Sequence, residues 1–302
     1  MLDSLRSFFV AIFLALLVGC GRGSQAPAVV PGEGVPPSPE NRAFVEEYIK
    51  ALSSTDYWTL KSRIVKEFQS AAPGRFGAFV PGVYREIDTR EKVMALTFDA
   101  CGGKSRGYNK ALIQYLWETR TPATLFVTGL WIDENPAVFQ DLAGDPLFLI
   151  GNHGLLHRLC GVAGETKYGV LGTKNVGEVV DEMELNARKI ERITGTRPRF
   201  FRSATAYTDE TAAKIATMLG MEIVNYDVLS GDAVPDTPAA VIRDNILNNA
   251  RPGAIVIMHF NHPKWHEVEA LREVIPALKK KGYSFVQLDD VRLKPVKARG
   301  GK

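Results

Sequence analysis

From Glu91 onward the chain alternates short apolar runs with longer amphipathic ones. Val93–Phe98, Ala123–Val127, Leu147–Ile150, Arg199–Arg202, Glu222–Asn225, Ala254–Met258 and Ser284–Gln287 read as short buried strands. The segments between them are long enough for helices. Val176, Val179, Val180, Met183, Ala187 and Ile190 mark one face of a helix that Gly195 stops. Thr208 is placed to cap another, with Asp209 and Glu210 in its first turn and Gly220 at its end. Pro276 lies inside the last helical pattern and predicts a kink or restart there. Strand–helix alternation implies a parallel sheet with crossover helices. Seven such units in roughly 200 residues predict an α/β barrel, closed or nearly so, spanning 91–293. Ahead of it, Phe44, Val45, Tyr48, Ile49 and Leu52 recur at helical spacing and Tyr57–Phe68 forms a second helical run. Residues 41–90 are therefore expected to be a short N-terminal helical extension without chemistry of its own.

Composition adds two constraints. The net charge is +3, but Arg292, Lys294, Lys297, Arg299 and Lys302 all lie beyond the last acidic residue, Asp290. The rest of the chain is slightly acidic, so residues 294–302 read as a solvated basic tail and no basic body offers itself to nucleic acid. At the other end, Arg6 precedes an apolar run, Phe8–Val18, too short to span a membrane and suited to a signal peptide over 1–19. Leu17-Val18-Gly19-Cys20 resembles the lipobox of bacterial lipoproteins, which implies lipid on Cys20 and membrane attachment. Gly or Pro fills nine of the nineteen positions from Gly21 to Pro39, so 20–40 reads as a tether. The expected location is outside the cytoplasm, facing the periplasm or the cell exterior. Cys101 and Cys160 then remain as one pair in an oxidising compartment.

Polar residues collect where the predicted strands end. Asp99 follows the first; Asn152 and His153 follow the third, with His157 four residues on. Arg202 ends the fourth, Asp227 and Asp232 follow the fifth, and His259 ends the sixth, with Asn261 and His262 just beyond. In a parallel barrel those ends open onto the face that carries active sites. One helical turn would set His153 and His157 side by side as ligands for one divalent metal. Asp99 can take a proton from a metal-activated water while His259 protonates a leaving amine. Arg202 is placed to keep Asp99 ionised and Asp232 to orient His259.

Thr97-Phe98-Asp99, Gly151-Asn152-His153-Gly154-Leu155-Leu156-His157, Phe201-Arg202 through Tyr207, Asp227 through Asp232, and Ile257-Met258-His259 resemble the five ordered motifs of the polysaccharide deacetylase (NodB-homology) family. The resemblance covers roughly 91–293. It implies a distorted (β/α)7-type barrel, a divalent metal (often zinc), and removal of N- or O-acetyl groups from carbohydrate, here a cell-envelope glycan. By motif match it assigns Asp99 as base, His153 and His157 as metal ligands, His259 as acid, and a backbone N–H near Tyr207 to the oxyanion.

Two departures stand out. The family's second aspartate, a metal ligand, is replaced by Ala100, and the Pro-Pro-Tyr character of the third motif by Ser203-Ala204-Thr205-Ala206-Tyr207. Water, Asp99, Asn261 or His262 then complete the metal shell, and His262 is also a candidate substrate contact. Cys101 and Cys160 follow two loops that reach one site, which favours a disulfide between them over a thiolate ligand. Alternative readings are a silent glycan-binding lipoprotein, favoured by Ala100, and an amidohydrolase acting on a small amide.

Overall fold

The computed structural model describes residues 46, 49, 50, 52–102 and 107–297. The signal-peptide, tether and Cys20 expectations lie outside these residues, as does the end of the basic tail. The first long helix, α1 (Thr55–Phe68), starts at Ser54, whose hydroxyl accepts the Tyr57 N–H. One sheet then dominates. Its strands are β1 (Val83–Ile87), β2 (Val93–Ala100), β3 (Ala123–Val127), β4 (Phe148–Asn152), β5 (Phe200–Phe201), β6 (Glu222–Val224), β7 (Val228–Leu229), β8 (Ile255–His259), β9 (Ser284–Phe285) and β10 (Leu293–Pro295). The spatial order is β7-β8-β2-β3-β4-β5-β6-β1-β10, with β9 pairing β2 separately. Every pairing is parallel except that of β10 with β1.

The sheet curls until β1 meets the chain entering β8: Ile87 N–H donates to Gly253 O at 2.8 Å, and Glu86 bridges Ala254. Seven strands, β8-β2-β3-β4-β5-β6-β1, thus form a distorted, incompletely closed (β/α) barrel. The sheet starts earlier in the chain than Glu91, because Val83–Ile87 supplies a barrel stave rather than a stretch of helical extension.

Alternation along β2 sorts the core. Met94, Leu96, Phe98 and Ala100 point outward into a large apolar layer shared with α2 (Lys110–Glu118), α3 (Gly129–Glu134) and α4 (Pro136–Ala143). Ala95 points inward, where it joins Phe126, Phe200, Val224 and Ile255 in a small barrel interior. A third cluster packs Tyr57 and Ile64 of α1 against α5 (176–194) and α6 (Glu210–Met218). Helix α5 runs through Val176–Val180, a π-helical turn at Asp181–Leu185, and Asn186–Thr194, and ends at Gly195 with φ +75°. Helices α7 (Ala239–Asn249) and α8 (Glu267–Lys280) both lie against the outer layer.

Two local expectations need correction. The cap of α6 is Asp209, whose carboxylate accepts the Ala212 N–H at 2.6 Å, while Thr208 sits one residue earlier and bonds the Cys160 carbonyl. Helix α8 continues through Pro276 without a restart, its apolar face (Leu271, Val274, Ile275, Leu278) buried on both sides of the proline. Packing there outweighs the lost backbone hydrogen bond.

Phe126 fills the barrel interior beneath the site, fully buried. Phe126→Ala should lower unfolding stability by about 3–5 kcal/mol, read as a reduced urea midpoint with little change in the m-value.

Candidate active site

Sheet register sets the first contact. β8 and β2 pair with His259 opposite Asp99, so these two residues are neighbours at the C-terminal rim of the barrel. Asp99 is buried, and its Oδ1 accepts from Arg202 Nη1 at 2.8 Å. Arg202 spends its other donors on backbone: Nε to Val224 O and Nη2 to Asn225 O, both at 3.0 Å. Its guanidinium lies 4.1 Å from the Phe126 ring centre. Burial opposes ionisation of Asp99, but the Arg202 charge and hydrogen bond, together with His153 and His259, outweigh it and hold the carboxyl below its ordinary range.

His153 follows β4 directly. Its Nδ1 lies 2.8 Å from the Arg202 carbonyl. A carbonyl only accepts, so Nδ1 carries the proton and Nε2 presents a lone pair. That Nε2 faces Asp99 Oδ2 at 3.7 Å and Cys101 Sγ at 3.9 Å. Burial depresses the imidazole to about 3, which keeps it neutral.

The loop from Asn152 to His157 is not the helical turn its spacing predicts. Gly154 and His157 both take left-handed backbone, with φ +90° and +58°. The imidazoles nevertheless come together, with ring centres 5.0 Å apart. What holds this loop is Glu182, in the π turn of α5. Its carboxylate accepts the N–H groups of Leu156 (3.0 and 3.1 Å) and Arg158 (2.9 Å), and its carbonyl accepts the Leu155 N–H. Burial pushes Glu182 up to about 7 against the pull of these N–H donors. A side chain at position 154 would collide with Glu182 Oε1, so glycine is required there. Asn186 and Asn152 complete the brace: Asn186 Nδ2 donates to Asn152 Oδ1 at 2.7 Å, and Asn152 Nδ2 donates to Met183 O at 2.8 Å.

Across the rim, Asp232 Oδ2 accepts from His259 twice, from the backbone N–H at 2.6 Å and from Nδ1 at 3.2 Å. Ser230 Oγ donates to the other oxygen at 2.7 Å. Burial disfavours charge on His259, but the nearby Asp232 and Asp99 carboxylates prevail and raise it to about 9. His262 stacks flat on Trp265 at 3.6 Å, and His259 meets the same indole edge-on at 5.7 Å. His262 therefore lies with the aromatic rim, outside the His153–His157 group. Asn261 is buried, with its carbonyl against Gly107. The Tyr207 N–H lies 3.3 Å from Ala204 O, and its ring packs beside Phe76 and Tyr168. Asp227 lies away from the rim, bonded to the Ile255 N–H at the start of β8 and to Arg251. Trp131 is core, its indole N–H donating to Gly107 O.

The expected disulfide is absent: Cys101 and Cys160 are not bonded to each other. The two loops do approach one site, but the thiols face different ways. Cys160 packs in the cluster with α1, α5 and α6, with its N–H on Ser203 Oγ at 2.8 Å. Cys101 faces the two histidines.

Comparison with known proteins places this constellation. Residues 86–224 match the family model described as polysaccharide deacetylase. Those residues carry a polysaccharide deacetylase domain. It is 28% identical over 207 residues to the peptidoglycan-N-acetylmuramic acid deacetylase PdaA of Bacillus subtilis, covering 68% of this chain and 73% of that one. The solved structure of the Bc1960 peptidoglycan N-acetylglucosamine deacetylase superposes with a TM-score of 0.60 at 26% identity, covering 70% of this chain and 93% of the other. A family 4 acetyl xylan esterase from Clostridium thermocellum, solved with a cobalt ion, gives a TM-score of 0.55 at 25% identity, covering 66% and 89%.

Deacetylases of this family are metal-dependent, and the residues present fit a metal. One ligand atom each from Cys101, His153 and His157 lie within 4.8 Å of one another, all buried. A tetrahedral ion with bonds of about 2.0–2.3 Å holds its ligand atoms roughly 3.3–3.8 Å apart, close to the Cys101–His153 separation.

Glu182 was invisible as a site residue in the sequence, where it reads as one polar position of an amphipathic helix. Removing its carboxylate in Glu182→Ala should weaken divalent-metal binding by about 10–100-fold, the range for groups that orient ligands. Glu182→Gln, which keeps acceptor oxygen, should lose less. Titration against a chromophoric chelator reads both; equal affinity in Glu182→Ala and the parent chain would show that the loop holds itself.

Proposed function

We propose that this polysaccharide deacetylase is a metal-dependent hydrolase that removes N-acetyl groups from a cell-envelope glycan, with peptidoglycan the first candidate. The observation that carries the reading is the pairing at the rim. An ionised carboxylate, Asp99, sits in register beside a protonated imidazole, His259. Amide hydrolysis needs both, a base for the attacking water and an acid for the departing amine. A glycan-binding module has no use for such a divided pair, and the relatives named for peptidoglycan deacetylation favour a polymer over a small amide.

His153 and His157 would hold the ion, with zinc the proposed metal. When bound, it supplies Lewis acidity that activates water and polarises the acyl oxygen. The chain's own groups do the proton work. Asp99 accepts a proton from the attacking water, with Arg202 keeping it ionised beforehand. His259 gives its Nε2 proton to the amine nitrogen as the C–N bond breaks, while Asp232 holds Nδ1 and fixes the ring. Acetate and a free amino sugar are the products, and solvent returns the proton from Asp99 to His259. Trp265 and His262 form an aromatic edge beside the acid where a sugar ring can stack. Export and lipid attachment at Cys20 belong to the same proposal and rest on the sequence of residues 1–20.

Acetate release from peptidoglycan and from N-acetylglucosamine oligomers tests the activity. Asp99→Asn should reduce release by about 10²–10⁴-fold, with metal still bound. A metal-loaded parent chain that releases no acetate from either glycan would sink the proposal.

The acid must be charged to act, and its raised value makes it charged at neutral pH. The rate should therefore hold through neutral pH and fall as pH rises through about 9. In Asp232→Asn burial is opposed only by the smaller effects of Asp99 and Glu267, so the alkaline limb should move to lower pH. A limb that stays in place would assign it to another group.

A further inference from the structure

The family's metal aspartate is missing at position 100, where this chain has Ala100. Ala100 belongs to the outward row of β2 with Met94, Leu96 and Phe98, buried in the apolar layer under the helices. Side chains two apart on a strand share a face. Cys101 therefore lies on the opposite side of the chain from Ala100 and on the same side as Asp99. Its Sγ is 3.9 Å from the His153 Nε2 lone pair and falls in one ligand group with His157.

The backbone around Cys101 is fixed. Thr128 Oγ1 donates to the Cys101 carbonyl at 2.7 Å, and the Thr128 N–H donates to Ala100 O at 3.1 Å. The next residue, Gly102, takes φ +77°, and a side chain there would press on Trp131 N at 2.8 Å and on Thr128 Oγ1. The thiol is left aimed at the histidines.

We propose that Cys101 is the third protein ligand, making this a Cys-His₂ centre in which a thiolate stands one residue beyond the missing carboxylate. This rests on the metal-dependent reading above and names the ligand that reading leaves open. On binding the ion, the thiol gives up its proton to solvent and forms a sulfur–metal bond. A sulfur ligand with two imidazoles selects a borderline ion such as zinc or cobalt over harder manganese or magnesium. Two histidines with oxygen ligands alone would discriminate less.

Cobalt substitution tests this without reference to turnover. The cobalt-loaded parent chain should show an intense near-ultraviolet thiolate-to-cobalt charge-transfer band. Cys101→Ser and Cys101→Asp should both lack it. Cys101→Ser should bind zinc more than about 100-fold more weakly, beyond the loss typical of outer-shell partners. Cys101→Asp, which offers a carboxylate on the same strand face, should keep a bound ion and the d–d absorption of cobalt while gaining relative affinity for manganese. Stoichiometric cobalt in the parent chain with no charge-transfer band would overturn the sulfur ligand; if acetate release persisted, the deacetylase reading would stand. Failure of the parent chain to take up any of these metals would overturn both.

Discussion

A carboxylate removed from water stays ionised only beside a compensating charge, and here that charge is Arg202. Its guanidinium divides itself between Asp99 and the backbone carbonyls of Val224 and Asn225, so one side chain ties β2 to the ends of β5 and β6. Removing either partner would strand the other in a fully enclosed space, which typically costs about 3–5 kcal/mol. The Arg202 carbonyl takes part as well, because its bond to His153 Nδ1 fixes the tautomer that leaves Nε2 open. One residue thus bears on the charge of Asp99 and on the proton position of His153.

The histidine pair shows how a site can store strain without a helix. His157 holds a left-handed backbone that a residue with a side chain adopts at a cost of about 1–3 kcal/mol. The π turn of α5 offsets that cost. It buries Glu182, Met183, Glu184, Leu185, Asn186 and Ala187 in succession, more than one face of a regular α-helix can present. The extra inward turn places the Glu182 carboxylate under the loop, and Glu184 finds Arg188 and Arg197 instead.

On the acid side the logic reverses. His153 is enclosed without a dominant charged partner and stays neutral; His259 is enclosed beside Asp232 and becomes cationic. The same side chain thus takes two charge states, separated by whether Nδ1 meets a backbone carbonyl or a carboxylate.

Much of this was legible in the chain itself. Short apolar runs separated by helical ones determine a parallel barrel, because both faces of each strand must be covered. Reading to the end of each strand finds Asp99, His153, Arg202, Asp232 and His259, since a parallel barrel sends all those ends to one rim. The tertiary structure alone decided the rest. Val83–Ile87 became a stave because it pairs in parallel with β6, and the curl of the sheet brings its end to the chain entering β8. Glu182 became part of the site because a π turn rotated it inward, and helical periodicity cannot foresee an inserted residue. Cys101 turned toward the histidines and not toward Cys160 because strand alternation at Asp99 and the left-handed turn at Gly102 aim it there. Sequence gives the identity and order of such groups; direction in space comes only from how the backbone is held.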